Sequence, residues 1–277
     1  MEQETKYSTI IKSNSLVNAI YKMPINSSHL FSIMLRNITA NDVLSDNGKL
    51  HTITAVEFGK LLGIEDNQYR ELKLATKFLL SAIVKVPLSK DNYFEYSIFD
   101  TAQYVLGDGY TSLAFSRNFL PFIQGLKGDY TRLDLAQTLR LRKFGSVRIY
   151  EKLMQYAKPD FSGWWNVSID DLKRLLSIDG SSVYSDTRYF NTCVFYPAIA
   201  EISKQLSWDI KVEKIKIGRI IKEFKISFKD VNSGGLFSQD NLSLGNKQTQ
   251  LNQANRAADA RAKVSRLAHL KKIGVKS

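Results

Sequence analysis

The sequence predicts an α+β, helix-rich fold in which two winged-helix domains follow one another and a basic tail ends the chain. The prediction rests on the length, on an internal repeat, and on a hairpin pattern after each copy of that repeat. The 277 residues correspond to about two domains of roughly 150 residues each. Hydrophobic residues make up 44% of the chain, enough to bury real cores, which excludes a disordered protein. We predict domains at 1–128 and 129–230, followed at 231–277 by a flexible linker and a basic, helix-favouring tail.

The internal repeat consists of two short segments with the same helix-forming pattern. ITAVEFGKLLGI at 53–64 resembles VSIDDLKRLLSI at 167–178. Each begins with a hydroxyl residue and has an acid three positions later, which is the pattern of an N-terminal capping box. The two pairs are Thr54 with Glu57 and Ser168 with Asp171. A short turn and a second helix, near Tyr69 and near Tyr184, follow each copy, so both halves are predicted to contain a helix-turn-helix.

Hairpins and preceding helices complete each predicted winged helix. In the first half, aromatic and β-branched runs surround GDG at 107–109, and Asp-Gly favours a tight hairpin turn. In the second half, Gly218 separates two runs in which apolar and polar residues alternate. A helix is predicted ahead of each helix pair, over Ser15–Asn37 and over Leu133–Ala157.

The second helix of the C-terminal pair is predicted to enter the major groove and read base edges. Its apolar stripe is predicted to face the core, with the cysteine as a small buried hydrophobe. The stripe consists of Phe190, Cys193, Val194 and Pro197. On the opposite face Arg188 suits guanine and Asn191 suits adenine. The predicted base-reading residues are Tyr184, Ser185, Arg188, Asn191 and Thr192. The alternative is a solvated polar face, which every surface helix has.

Other basic residues are predicted to contact DNA phosphates. They are Arg70, Lys73 and Lys77 on the first half's second helix, Arg140, Arg142 and Lys143 between the halves, and Lys214, Lys216 and Arg219 near the second hairpin. The helix between the halves is also expected to present Arg148 on this basic surface. The tail from 231 holds +6 of the net charge of +12. It is predicted to act either as a solubilising tail or as a nonspecific phosphate-binding arm.

No catalytic site, metal site or cofactor is predicted. The phosphate-binding pattern GxxxxGK[ST] does not occur, and His29, His51 and His269 lack metal-ligand spacing. A single cysteine excludes an internal disulfide and suits a reducing cytosol. No apolar run approaches the roughly 18 residues that a membrane helix needs, and the N-terminus lacks a signal-peptide pattern. We therefore expect a cytoplasmic protein without a membrane partner.

A set of further segments is distributed along both halves of the chain. It includes KSNSLVNA at 12–19, LFSIML at 30–35, YRELKLATKFLL at 69–80, FGSVRIYEKLMQ at 144–155 and YPAIAEI at 196–202. These segments resemble the iteron-binding replication initiator proteins of theta-replicating bacterial plasmids. Their order is that of the family, and together they span about 12–230.

The resemblance implies binding to double-stranded DNA at direct repeats of a plasmid origin, melting of adjacent AT-rich DNA, and recruitment of the host initiator and the replicative helicase. It also implies a monomer–dimer balance, in which the dimer represses its own gene. The N-terminal domain would supply dimer and DNA-backbone contacts, and the base-reading helix would fall on about Val183–Phe195. The runner-up is a dimeric winged-helix transcriptional repressor. A third class is an enzyme such as a priming polymerase or a nickase.

Overall fold

The computed structural model describes residues 9–38, 49–89, 92–105, 107–126, 128–218 and 220–231. The predictions for Arg219 and for the tail beyond Val231 therefore lie outside the described residues.

The first half begins with a strand and two helices and continues into a helix pair and two hairpins. In chain order the elements are β1 (Thr9–Ser13), α1 (Asn14–Val17), α2 (Ile25–Met34), β2 (Leu50–Thr54), α3 (Ala55–Leu62), α4 (Gln68–Ser81), β3 (Ile83–Ser89), β4 (Asn92–Ser97), β5 (Phe99–Val105) and β6 (Tyr110–Phe115).

The second half repeats this plan with a longer final hairpin. Its elements are β7 (Tyr130–Asp134), α5 (Leu135–Arg140), α6 (Phe144–Gln155), β8 (Ser162–Ser168), α7 (Ile169–Leu175), α8 (Thr187–Phe190), α9 (Tyr196–Leu206), β9 (Trp208–Ile217) and β10 (Ile220–Asp230). A π-helical segment, Asn191–Phe195, joins α8 to α9.

The two halves have equivalent sheets, which confirms the predicted tandem winged helix. Each three-stranded antiparallel sheet pairs the strand before the helix-turn-helix with the second strand of the hairpin after it, in the orders β2-β6-β5 and β8-β10-β9. Gly109 and Gly218 turn the two hairpins with φ of 63° at each, a conformation that costs glycine little. The hairpin β3–β4 is an insertion between α4 and the first sheet.

The predicted caps begin both first helices. Thr54 Oγ1 accepts a hydrogen bond from the Glu57 backbone N–H at 3.1 Å, and Ser168 Oγ accepts one from the Asp171 N–H at 3.0 Å. These bonds satisfy N–H groups that the first turn of a helix otherwise leaves unpaired. The left-handed Gly63, with φ of 67°, ends α3, so the turn into α4 is fixed at both sides.

The predicted preceding helices are wrong in extent, because each is interrupted. Ser15–Asn37 divides where Ile20 forms a β-bridge to Lys85 of β3, and α2 begins only after Pro24, which occupies its N-cap position. Leu133–Ala157 begins as strand β7, which pairs antiparallel with β1, and divides again between α5 and α6. In both places, pairing with a distant strand overrides local helix propensity.

Residues 130–155 contact both halves of the chain. Strand β7 pairs with β1, and α6 packs against both α1 and α9. The predicted division between 128 and 129 stays a prediction.

A buried ion cluster lies where the N-terminal elements meet α6. Glu151, which is 1% exposed, accepts hydrogen bonds from Lys12 Nζ at 2.6 Å and from the Arg148 guanidinium. Arg148 also donates to the Tyr21 hydroxyl at 2.7 Å and to the carbonyl oxygens of Val17 and Ala19. Arg148 is fully buried, so its expected place on a basic surface is wrong. Its guanidinium instead attaches α1 and the following chain to α6.

Candidate nucleic-acid interface

The second helix of the C-terminal pair is a composite of α8, the π-helical segment and α9. Its start is held by Asp186, whose carboxylate accepts from the Arg188 N–H at 2.8 Å. Lys173 of α7 donates from Nζ to the Ser185 carbonyl oxygen at 3.3 Å. The rings of Tyr184 and Tyr189 stack with centroids 6.0 Å apart. These contacts fix the position of the helix start that a helix-turn-helix presents to the major groove.

The π-helical segment changes which residues face the core, so the predicted apolar stripe is confirmed only in part: Phe190 is buried and Val194 is half-buried against the core, but Cys193 is not in the stripe. A π turn bonds residue i to i+5 and so contains one residue more than an α turn. The core residues after Phe190 are therefore Phe195, Ala198 and Ile202, each at most 2% exposed. Cys193 is exposed instead of buried.

The five predicted base-reading residues do not all lie on one exposed face of this composite helix. Ser185, Arg188 and Thr192 are exposed and Tyr184 is half-buried. Asn191 is only 7% exposed and its Oδ1 is buried, so the structure does not place it on the outer face that adenine recognition requires. The Thr192 hydroxyl donates to the Arg188 carbonyl oxygen at 2.9 Å.

Two outward residues are absent from the predicted set, and the second of them, Cys193, is absent because the sequence pattern assumes a regular α-helix. Tyr189 is 48% exposed and lies one turn before the exposed Cys193. A hydrogen bond with Cys193 raises the pKa of the Tyr189 phenol. The sequence signal for the exposed Cys193 is the five-residue interval between the aromatic core residues Phe190 and Phe195.

The wing of the C-terminal domain has a basic face on the same side as its helices. Lys214 is paired with the core residue Phe224 in the β9–β10 register, and directly opposed side chains share a face of the sheet. Its Nζ lies 5.6 Å from the ring centre of Tyr196, at the start of α9. Lys216 follows two residues later on the same face and is exposed. Lys225 lies on the other face, in an ion pair with Glu213 at 3.3 Å.

Helix α4 of the N-terminal domain presents three cations to solvent. Its core-facing residues Leu72, Ala75 and Leu79, and Ala82 directly after it, are each at most 7% exposed. Arg70, Lys73 and Lys77 are exposed along the rest of the helix, which is the placement that phosphate contacts need.

The three predicted phosphate-binding residues between the halves differ in what their side chains contact. Arg140 is exposed at the end of α5. Arg142 Nη1 donates to the Leu62 carbonyl oxygen at 2.9 Å, and Lys143 Nζ donates to the Pro197 carbonyl oxygen at 3.4 Å. The last two cations are thus directed at neighbouring helices.

Within the described ranges, no group of three or more His, Cys, Asp or Glu side chains is placed to hold a metal ion. The same part of the chain contains no helix that is long and apolar enough to cross a membrane.

Two winged helices with exposed cations on their second helices and wing define a DNA-binding protein of the tandem winged-helix class. Residues 9–154 match the family model described as Initiator Replication protein, WH1, and residues 168–228 match that described as Initiator Rep protein, WH2. The chain belongs to this Rep3 family of plasmid replication initiators, which bind DNA and are not enzymes. The resemblance found in the sequence is thereby confirmed.

Two relatives agree with this assignment. The chain is 26% identical over 259 residues to the PI protein of Escherichia coli, an alignment that covers 82% of this chain and 85% of that protein. The crystal structure of Pi initiator protein in complex with iteron DNA superposes with a TM-score of 0.68 at 25% sequence identity. That match covers 82% of this chain and 99% of the other.

Proposed function

We propose that this protein initiates replication of its plasmid by binding the direct repeats, or iterons, of the origin with both helix-turn-helix units. The solved relative, which is bound to iteron DNA, carries the proposal. The exposed cations of α4 and of the wing support it, because the corresponding elements of a winged helix contact DNA.

In the proposed complex the start of α8 reads bases and the remaining cations hold phosphates. The base-reading residues are Tyr184, Ser185, Arg188 and Thr192. Phosphates are contacted by Arg70, Lys73, Lys77, Arg140, Lys143, Lys214 and Lys216. Arg188 is suited to bidentate recognition of guanine, worth about 1–3 kcal/mol of discrimination.

Further steps follow from the family resemblance. After binding, the protein melts neighbouring AT-rich DNA and recruits the host initiator and the replicative helicase. As a dimer it represses its own gene, and it acts in the cytoplasm of the bacterial host. Footprinting on its own replicon tests this role: protection of tandem direct repeats beside an AT-rich stretch is expected, and protection of a single palindrome would instead favour a dedicated repressor.

Arg188→Ala tests the base-reading assignment on a duplex that carries one repeat. We expect affinity for the repeat to fall by about 10-fold or more, with little change for DNA of unrelated sequence. Equal losses on both duplexes would remove Arg188 from base recognition.

Lys214→Ala and Lys225→Ala form a matched pair on the two faces of the wing. Loss of one phosphate contact should weaken binding to all sequences and reduce the slope of log K against log[salt] by about 0.9. We expect this of Lys214→Ala and no change for Lys225→Ala. A wing that inserts with its other face would give the reverse result.

A further inference from the structure

The turn between α5 and α6 is in contact with both helix-turn-helix units. This joining turn, Leu141–Lys143, forms hydrogen bonds with helices of both domains. The Leu141 carbonyl oxygen is 2.9 Å from His29 Nε2 on α2, in the N-terminal domain. The Arg142 backbone N–H donates to Glu201 of α9 at 2.8 Å, in the C-terminal domain.

The Arg142 side chain extends these contacts to the first helix-turn-helix itself. Its guanidinium donates to the carbonyl oxygen of Leu62 at 2.9 Å. Leu62 is the last residue of α3, where the helix dipole is negative and the final carbonyl groups need donors. The left-handed Gly63 follows directly, so Arg142 holds the point at which the chain turns from α3 toward α4.

Glu201 connects the same turn to the base-reading helix of the C-terminal domain. It accepts from the Arg142 N–H and also from the Ser146 hydroxyl at 2.5 Å. Glu201 lies on α9, which continues without a break from α8 through the π-helical segment. The carboxylate therefore ties the helix that carries Arg188 to the turn that carries Arg142.

We propose that Arg142 and Glu201 are positioning residues that set the spacing and relative orientation of the two DNA-contacting helices, and that Arg142 is not a phosphate contact. This inference rests on the proposed function, because spacing matters only if both units bind one repeat. One added base pair moves one half of the site by about 3.4 Å and rotates it by roughly 34°. If the joining turn fixes the two DNA-contacting helices relative to each other, they cannot both contact the lengthened site. Without the Arg142 and Glu201 contacts, their relative orientation can adjust to it.

The test compares affinity for a duplex carrying the native repeat with affinity for the same repeat lengthened by a single base pair between its two footprinted halves. For the wild-type chain we expect the insertion to reduce affinity by about 100-fold, comparable to losing one or two specific base contacts. For Arg142→Gln and for Glu201→Ala we expect a penalty of about 10-fold or less, since the joining turn then no longer fixes the relative orientation of the two helices. Two variants are used so that a folding failure of one leaves the other to decide.

Arg140→Gln, two residues away, gives the contrasting behaviour of a phosphate contact. It should reduce the salt slope by about 0.9 while keeping the full spacing penalty. Arg142→Gln should keep the salt slope and lose the spacing penalty.

A folded Arg142→Gln or Glu201→Ala protein that retains the wild-type penalty, or an Arg142→Gln salt slope reduced by about 0.9, would overturn the inference while leaving iteron binding intact. Failure of the wild-type chain to bind the repeat would overturn the proposed function itself.

Discussion

In the buried cluster of Lys12, Arg148 and Glu151, two cations share one carboxylate. Removing the carboxylate should therefore lower the free energy of unfolding much more than removing one of the cations. All three residues are at most 1% exposed. Glu151→Gln preserves side-chain size but leaves both cations without a counter-charge in the interior. Loss of one partner of a buried ion pair typically costs about 3–5 kcal/mol, and we expect the free energy of unfolding to fall by about that amount.

Lys12→Met should be much milder, although it removes a contact from the same cluster. It leaves Arg148 and Glu151 as a neutral pair, and the methionine can pack against Phe31, over whose ring Lys12 Nζ lies at 4.6 Å. Replacing one cation with an apolar side chain of similar length therefore costs about 1 kcal/mol. Urea unfolding followed by circular dichroism measures both variants.

The surface pair Arg36–Glu57 supplies the matched control. Its atoms are 2.7 Å apart, but the side chains are 25% and 39% exposed, so Glu57→Gln should cost about 1 kcal/mol or less. Equal effects of Glu57→Gln and Glu151→Gln, or a larger effect of Lys12→Met than of Glu151→Gln, would refute the assignment of two cations to one anion.

The pH dependence of the cluster follows from the same charges. Burial alone would raise the pKa of Glu151, but Lys12 and Arg148 outweigh it and hold this pKa below its ordinary value. Because the folded state holds the proton less tightly than the unfolded chain, this stabilisation is present above the ordinary carboxyl pKa. It is lost as the pH falls through the folded-state pKa.

Three further predictions concern single sites. Burial lowers the pKa of His29 to about 4, so stability should fall as the pH drops from about 6.5 toward 4; an NMR titration with a midpoint near 6.5 would contradict this. A Cβ at Gly163 would lie 2.5 Å from the Tyr156 carbonyl oxygen, so Gly163→Ala should destabilise by about 1–3 kcal/mol, whereas Gly180→Ala, in open space, should not. Cys193 should react with maleimide in the folded protein, and bound iteron DNA should slow the reaction; labelling only after unfolding would contradict the exposed position.

The sequence was sufficient to predict elements whose signals are local. Thr54 and Ser168 cap helices by bonds three residues away, and the Gly109 and Gly218 turns depend on a single backbone conformation. Because these signals recur in the same order in both halves, the tandem fold could be predicted without tertiary information. The breaks at Ile20 and at β7 could not, since they depend on pairing with strands that are far away in the chain.

The second helix of the C-terminal pair shows a different limit of sequence-based prediction. A regular α-helix through Phe190 places Cys193 and Val194 on the core side, and hydrophobicity supports that choice. In the structure the π turn adds one residue, and Phe195 lies in the core with its ring stacked on Phe224 of β10, centroids 4.4 Å apart. Asn191 is buried and Cys193 exposed in this arrangement, and a contact with so distant a strand is not visible in a local sequence pattern.

The basic residues between the halves show why net charge alone is a poor guide to the DNA interface. Within nine positions the chain places Arg140 in solvent, Arg142 on the carbonyl oxygen of Leu62, and Arg148 against Glu151 in the interior. The sequence alone does not distinguish these three cations, because the groups that Arg142 and Arg148 contact include residues from distant parts of the chain. Only a solvent-facing cation can release counterions when it meets a phosphate. Arg140 and Arg142 are both exposed, but Arg148 is fully buried and cannot meet a phosphate. Net charge therefore overstates the number of cations that are open to DNA, and we propose that even the exposed Arg142 positions helices instead of binding a phosphate.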